Sequence, residues 1–127
     1  MSDMGIFRTT VAIENPLVPG TLREIADVMV DTGSEYTWIP RPILESLGLA
    51  PKRTAWFRTA DGRALERDVA FANVFAGGTS APDIVVFAEA DDLTLLGCRA
   101  LEGLNLRIDV VNKVLVSAGP VPVAVAA

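Results

Sequence analysis

Short apolar segments alternate with glycine- and proline-containing turns along the whole chain. Segments of this length, rich in β-branched residues, are typical of strands. The pattern predicts strands at residues 9–14, 22–30, 36–39 and 83–89, a hairpin over residues 55–75, and two further strands within residues 106–116. The segment I-V-V-F at residues 84–87 is apolar on both faces, which predicts a central strand.

Two other segments have the spacing of short helices. In R-P-I-L-E-S-L-G-L at residues 41–49, Pro42 suits the first helical position and Gly48 suits a left-handed cap. The segment C-R-A-L-E-G-L, which begins at Cys98, predicts a second short helix that ends near Gly103.

Glycine pairs mark the expected hairpin turns. Asp61-Gly62 predicts a two-residue turn in which both residues have positive φ, and Gly77-Gly78 predicts another turn. Together these elements predict a mostly β, single-domain protein, built as a closed barrel or folded sheet with one or two short helices. We expect residues 6–117 to form the core and residues 118–127 a C-terminal tail.

Composition limits the chemistry that this chain can perform. Its 127 residues, half of them hydrophobic, suffice for one domain with a real core. The net charge of −5 and the lack of any lysine and arginine run argue against nucleic acid as a partner. Without histidine there is no Ser-His-Asp or Cys-His machinery and no imidazole metal ligand. We therefore expect no metal and no cofactor.

The single cysteine, Cys98, can form neither an intrachain disulfide nor a cysteine-rich metal site. We expect it to be a small buried filler, because no base is present to activate it. One cysteine is compatible with a reducing cytosol, so we expect a cytoplasmic protein.

Neither end of the chain predicts a membrane segment. The start, M-S-D-M-G-I-F-R, lacks the features of a secretory signal. No apolar run approaches the roughly 20 residues that span a bilayer. The apolar tail is interrupted by Pro120 and Pro122, and we expect it to be a strand or a disordered end.

The segment V-M-V-D-T-G-S-E-Y-T-W-I-P at residues 28–40 places an acid directly after a predicted buried strand. Such a strand would hold the carboxylate of Asp31 on a rigid element. Gly33 allows a sharp turn and leaves space beside the acid. Taken alone, this motif is equally explained as an Asx-type turn that ends a strand.

The same segment resembles the active-site region of aspartic proteases, in which Asp-Thr-Gly follows apolar residues. Further on, L-T-L-L-G-C-R-A-L-E-G-L, followed by L-R-I-D, resembles the apolar-apolar-glycine-helix segment of retroviral-type proteases (retropepsins). The hairpin W-F-R-T-A-D-G-R-A-L lies between them, where that family carries its flap. The resemblance to the retropepsin-like group covers about residues 22–116, in the family's order.

The resemblance implies an aspartic endopeptidase with the closed β-barrel of the acid proteases. Asp31 would be the catalytic acid, and Thr32, Gly33 and Ser34 would support its loop. Thr32 would join the loops of two subunits, and the Ser34 hydroxyl would donate to the outer oxygen of the acid. The family mechanism requires two carboxylates that share one proton and activate a water molecule between them.

The second acid must come from a second copy of the chain. The sequence contains one Asp-Thr-Gly, and 127 residues are too few for two pepsin-like lobes. A symmetric homodimer with Asp31 on the two-fold axis follows from this stoichiometry.

The resemblance also implies roles in substrate binding. Residues 56–65 would form the flap, and backbone groups near Ala60, Asp61 and Gly62 would pair with an extended peptide or protein substrate. A plain surface hairpin is the alternative. Glu35 would contact substrate, or would be a solvated turn charge. Gly97 would let the backbone pass close beneath the active-site loop, and cleavage is expected between largely apolar residues.

The sequence departs from the retroviral pattern at several positions. Cys98 stands where retroviral members often carry an arginine, and Arg99 follows one residue later. One residue on a helix turns the side chain by about 100°, so no Glu35–Arg99 pair is expected. The flap tip reads A-D-G-R rather than a run of glycines, and the proline-bearing tail is a poor candidate for a shared interface sheet.

Two alternatives to the enzyme stay open from the sequence. One is a catalytically inactive relative that binds extended peptides in the same cleft. The other is a structural β-barrel whose D-T-G is a turn, which predicts a monomer.

Overall fold

The computed structural model describes residues 7–125 of the protein. These residues form nine strands and two helices. The elements are β1 (Arg8–Glu14), β2 (Leu22–Asp31), β3 (Thr37–Pro40), α1 (Arg41–Ser46), β4 (Arg53–Arg58), β5 (Ala64–Ala76), β6 (Thr79–Ala88), β7 (Leu95–Gly97), α2 (Cys98–Leu104), β8 (Leu106–Asp109) and β9 (Val114–Ser117).

Six strands close into a barrel, which confirms the predicted fold class. Their order around the barrel is β1-β2-β7-β3-β6-β5, and β5 pairs with β1 to complete the ring. Two strands pair along one edge of the long β5. β4 pairs at Ala64–Val69, and β1 pairs at Asn73–Phe75. The pairs β2–β7 and β3–β6 are parallel, and the other barrel pairs are antiparallel.

The core lies inside the barrel and under the two helices. Val85, Val86 and Phe87 of β6 are all fully buried. This strand runs between β3 and β5, and α2 packs against it. The apolar run I-V-V-F is therefore a central strand, as its sequence predicts.

The two glycine turns differ in geometry. Gly77 and Gly78 both have positive φ and join β5 to β6 in the expected two-residue turn. The same prediction for Asp61-Gly62 is wrong, because only Gly62 has positive φ. The β4–β5 turn has three residues, with Thr59 N–H donating to the Arg63 carbonyl and Gly62 N–H to the Thr59 carbonyl. This is the pattern of a type I turn followed by a left-handed glycine.

The helices differ from prediction only at their ends. Pro42 is the second residue of α1 rather than the first, and Gly48 follows the helix with a φ of +78°. α2 ends at Leu104, next to the predicted end near Gly103, and Asn105 after it takes the left-handed conformation.

Beyond α2 the chain forms a separate two-stranded sheet, in which β8 pairs with β9. Residues 118–125 form neither strand nor helix, so the strand alternative for the tail is not found there. Residue 6, where the core was expected to begin, and the last two residues lie outside the described part of the chain. Among the described helices, none combines the length and apolar character needed to cross a bilayer.

Candidate active site

Asp31 is the last residue of β2, so a strand of the barrel carries the candidate acid. Val28 and Val30 anchor this end of the strand in the core. Asp31 lies beside Gly97 of the parallel strand β7. Its half-buried carboxylate accepts a hydrogen bond from the Gly33 N–H, with Oδ1 2.9 Å from the nitrogen. The carboxylate is thus fixed at the end of a barrel strand while part of it faces solvent.

The loop after Asp31 turns sharply and leaves space beside the acid. The Ser34 N–H donates to the Asp31 carbonyl at 3.1 Å, which closes the turn. Thr32 and Gly33 are exposed at its surface. A Cβ atom at Gly33 would lie 3.3 Å from Asp31 Oδ1, so any larger residue there would crowd the carboxylate.

The Ser34 hydroxyl does not make the contact that the resemblance implied. It donates to the Tyr36 carbonyl at 3.3 Å instead of to the outer oxygen of Asp31. Within this protomer, Ser34 stabilises the shape of the loop.

The start of α2 holds the loop from behind through backbone contacts. Cys98 N–H donates to the Ser34 carbonyl at 2.7 Å, and Arg99 N–H donates to the Glu35 carbonyl at 3.1 Å. Gly97 is buried there, and a Cβ atom on it would lie 2.4 Å from the Tyr36 carbonyl oxygen. The predicted close approach is present. Because Gly97 is buried in this protomer, it supports the loop rather than lining the cleft as a substrate contact.

Thr37 is a supporting residue that the sequence analysis missed. It is fully buried, and its Oγ1 accepts a hydrogen bond from the Gly97 N–H at 3.1 Å. The sequence could have indicated this role, because Thr37 is a single hydroxyl residue next to apolar Trp38 and Ile39 in a predicted strand. Such a residue needs a buried hydrogen-bond partner.

The turn between β4 and β5 forms the tip of the candidate flap. Ala60, Asp61 and Gly62 are all exposed at this tip. The Thr59 hydroxyl donates to the Asp61 carboxylate, which also pairs with the Arg63 guanidinium at 3.1 Å. These two contacts lower the pKa of Asp61. The tip therefore has a fixed shape of its own, and its charge is largely compensated locally.

A cavity of about 360 Å³ lies between the Asp31 loop and β4. It is lined by Gly33, Ser34, Glu35, Tyr36, Trp38, Ala55, Trp56, Phe57 and Arg58. The rings of Tyr36 and Phe57 meet edge to face with centroids 5.7 Å apart, and Trp38 lies 4.9 Å from Phe57. Tyr36 and Trp38 were not predicted as site residues, and Phe57 was predicted only as part of the flap at residues 56–65. Tyr36 and Trp38 are two positions apart in the predicted strand at residues 36–39, so their side chains share one face, and this was the available indication in the sequence.

Glu35 and Arg99 lie near each other in the chain fold without forming an ion pair. Glu35 is exposed and lines the cavity. The Arg99 guanidinium lies over the Tyr36 ring, 5.8 Å from its centroid. Among the residues described, no salt bridge joins Glu35 to Arg99, in agreement with the rotation expected from the sequence. Cys98, expected to be buried, is half-buried.

The described residues contain other cavities besides the one next to the Asp31 loop. A second cavity of about 380 Å³ is lined by ten residues of the β1–β2 loop, the α1–β4 connection and β5, and it contains no carboxylate. No group of three or more acidic, cysteine or histidine side chains within residues 7–125 has the geometry of a metal site. The cavity beside the Asp31 loop differs from that second cavity in having a carboxylate, that of Glu35, in its lining.

Comparisons with known proteins agree with this geometry. Residues 23–103 match the protein family described as "gag-polyprotein putative aspartyl protease". A solution structure of the simian foamy virus (mac) protease is similar in fold, with a TM-score of 0.51 at 21% sequence identity, over 75% of this chain and 91% of the viral one. Comparison with curated proteins finds no match.

Proposed function

This chain belongs to the gag-polyprotein aspartyl protease family, and on that premise we propose that it is an aspartic endopeptidase that works as a homodimer. One observation carries the proposal. The carboxylate of Asp31 is held by the backbone of a closed barrel, next to a loop that β7 and α2 brace from behind and beside a cavity that a peptide side chain can enter. An Asx turn that merely ends a strand requires neither the bracing nor the cavity.

The proposed mechanism uses one Asp31 from each subunit. Two carboxyl groups within hydrogen-bond distance cannot both ionise easily, so the pair holds one proton. The ionised member takes a proton from a water molecule, which attacks the peptide carbonyl carbon. The protonated member donates to the carbonyl oxygen and later to the leaving amine. Thr32, exposed beside each acid, is proposed to join the two loops.

We propose that the second acid comes from a second copy because of the aspartates that this chain contains. Its sequence contains a single Asp-Thr-Gly. The other aspartates near the barrel core do not supply the missing partner. Asp83 lies in β6 against α2, and Asp109 is engaged by the turn between β8 and β9.

Extended peptides are the substrate class that the cleft favours. In the described residues β4 pairs on one edge only, with β5, which leaves its other edge available for strand addition. The aromatic walls of the neighbouring cavity favour apolar side chains. Ala60, Asp61 and Gly62 at the tip, and Glu35 at the cavity, are proposed to contact the peptide as the flap closes.

Cleavage of a peptide library between about pH 4 and pH 6, where a shared proton is expected, tests the proposal. Asp31→Asn should lower kcat/KM by on the order of 10²–10⁴. Asp27→Asn is a matched control, because Asp27 is exposed on the same strand and its φ of +57° suits asparagine. If Asp31→Asn cuts as fast as the parent, the proposed mechanism is wrong.

Sedimentation at micromolar concentration tests the dimer separately. A dimer is expected, and a strict monomer that still cuts peptides would contradict the two-Asp31 mechanism. A dimer that binds peptides without cutting them would instead favour the inactive peptide-binding module.

A further inference from the structure

A row of four side chains runs from α2 to the candidate flap. The Arg99 guanidinium lies over the ring of Tyr36, and the edge of that ring meets Phe57 of β4 at an interplanar angle of 86°. Phe57 in turn packs on Trp38 of β3. Three members of the row, Tyr36, Trp38 and Phe57, line the cavity beside Asp31, and Arg99 stands behind them.

Arg99 is well placed to control Tyr36. Its backbone N–H donates to the Glu35 carbonyl, so the first turn of α2 is fixed to the residue that precedes Tyr36. Its guanidinium lies 5.8 Å from the ring centroid, within the range of a cation–π contact. In the described residues it forms no ion pair that would draw it away from the ring.

The position of the Tyr36 ring depends on the residues that contact it. Its side chain is only half-buried, and the loop that carries it has solvent on its outer side. Phe57 contacts its ring from the flap strand, and Arg99 contacts it from the helix. With Arg99 absent, the ring would keep its aromatic contact with Phe57 of the flap strand, and the flap is the part expected to move when substrate binds.

We propose that Arg99 is a positioning residue that packs on Tyr36, holds its ring against Phe57, and so sets the width of the substrate pocket beside Asp31. This inference rests on the proposed function, since it names the peptides that the same cleft prefers. With the ring held, the pocket accepts a branched aliphatic side chain such as leucine and disfavours tryptophan. With the ring released, the pocket accepts both more evenly.

Tyr36 is the single tyrosine of the chain, which permits a test that does not depend on activity. Tyrosine-selective isotope labelling gives one set of ring signals by NMR. The parent should show nuclear Overhauser contacts from Tyr36 to Phe57. In Arg99→Met, which removes the cation and keeps a long side chain, these contacts should weaken and the ring signals should shift. Arg99→Lys, which keeps a cation, should restore them.

Arg23→Met is the matched control, because Arg23 is an exposed arginine at the opposite end of β2 and contacts Ser46. It should leave the Tyr36 signals unchanged. If the Tyr36 signals were also unchanged in Arg99→Met, Arg99 would not hold the Tyr36 ring, and the proposal would be wrong.

The second arm measures selectivity with paired peptides that carry leucine or tryptophan at the position facing the pocket. In Arg99→Met the ratio of kcat/KM for the two peptides should fall by about two- to fivefold, the size expected for one exposed cation–π contact. The change should appear in KM, with kcat little altered, and Arg99→Lys should recover most of it. If the Tyr36 ring moved in Arg99→Met but the ratio for the two peptides did not change, Arg99 would not set the width of the substrate pocket.

The two hypotheses fail in distinguishable ways. If the parent protein cuts neither peptide, the proposed function fails. The role of Arg99 in setting the pocket width is then tested by measuring how tightly the same two peptides bind, with the NMR signals of Tyr36 as the readout. Equal loss of preference in Arg99→Met and Arg23→Met would count against a specific role of Arg99.

Discussion

The buried hydroxyl of Thr37 accepts a hydrogen bond from the N–H of Gly97, with 3.1 Å between oxygen and nitrogen. This contact joins β3 to the residue that precedes α2. It lies directly behind the loop that carries Asp31. The loop is thus braced by one side-chain bond in addition to the backbone bonds from α2.

Thr37→Val removes the acceptor and keeps the shape of the side chain. The Gly97 N–H is then left buried without its partner, which costs about 1–3 kcal/mol of unfolding free energy. Urea denaturation should show this loss, and Thr37→Ser should recover most of it because serine keeps the hydroxyl. Equal stability of the valine and serine variants would show that the bond contributes little.

Gly97→Ala should displace the active-site loop. Gly97 has extended φ and ψ of −90° and 174°, which alanine also adopts, so the requirement for glycine is purely steric. The added Cβ would lie 2.4 Å from the Tyr36 carbonyl oxygen, and overpacking of this kind costs about 1–3 kcal/mol or more. Thermal unfolding should report the loss of stability.

Gly103→Ala is the matched control for that variant. Gly103 lies within α2, and a Cβ there would meet Ala81 Cβ at 3.6 Å, an ordinary contact. Alanine should stabilise the helix by about 0.5–1 kcal/mol. Destabilisation by both substitutions to a similar degree would contradict a specific steric role for Gly97.

Asp92 joins the β6–β7 loop to β5 through a bidentate ion pair with Arg67. Its carboxylate oxygens accept from Arg67 at 2.7 and 3.0 Å, and one of them also accepts from the Glu89 N–H. The Arg67 contact lowers the pKa of Asp92 below its usual 3.8. The pair therefore stabilises the fold above that pH, and the stabilisation is lost as the pH falls through the folded-state pKa.

Asp92→Asn should consequently destabilise the protein by about 1–3 kcal/mol at pH 7. The difference from the parent should shrink as the pH falls below 3.8, where the carboxyl of the parent becomes protonated. Urea unfolding over a pH series measures both quantities. A difference that does not vary with pH would mean that the ion pair is not its source.

Asp83 should show the opposite dependence. Burial raises its pKa, against a hydrogen bond from the Ile84 N–H and the charge of Arg99. Its Oδ2 is buried and, among the described residues, has no hydrogen-bond partner. A raised folded-state pKa means that the folded form is favoured below pH 3.8 and loses stability as the pH rises through that pKa.

Asp83→Asn should therefore stabilise the protein relative to the parent at pH 7, with a smaller gain at pH 4. The same urea series used for Asp92→Asn measures this change, so the two variants control for each other. If the stability difference from the parent changed with pH in the same direction for both variants, the assignment of Asp92 as paired and Asp83 as desolvated would be contradicted.

Local sequence predicted most of the elements because their signals are local. Short apolar and β-branched segments predicted five of the six barrel strands but not the three-residue β7, and Pro42 with Gly48 bounded α1. The β4–β5 turn was predicted wrongly because its geometry depends on Thr59 and Arg63, which bind Asp61 from either side of the two residues considered. A dipeptide rule cannot include that network.

The candidate site was predictable only in part. The D-T-G segment and its apolar flanks pointed to Asp31, and Gly97 was expected to approach the loop closely. The role of Thr37 and the row formed by Arg99, Tyr36, Phe57 and Trp38 were not predicted. These residues come from four elements or loops that meet only when the barrel closes.

By itself, the sequence determined the fold class and the exclusion of histidine-based catalysis, because these depend on residue types and on periodicities along the chain. Its resemblance to the retropepsins made Asp31 the candidate acid. The tertiary structure decided which groups brace Asp31 and which rings form the pocket beside it. Those relationships join residues up to about sixty positions apart. They arise from the packing of strands that pair across the barrel, and no pattern along the chain encodes such distances directly.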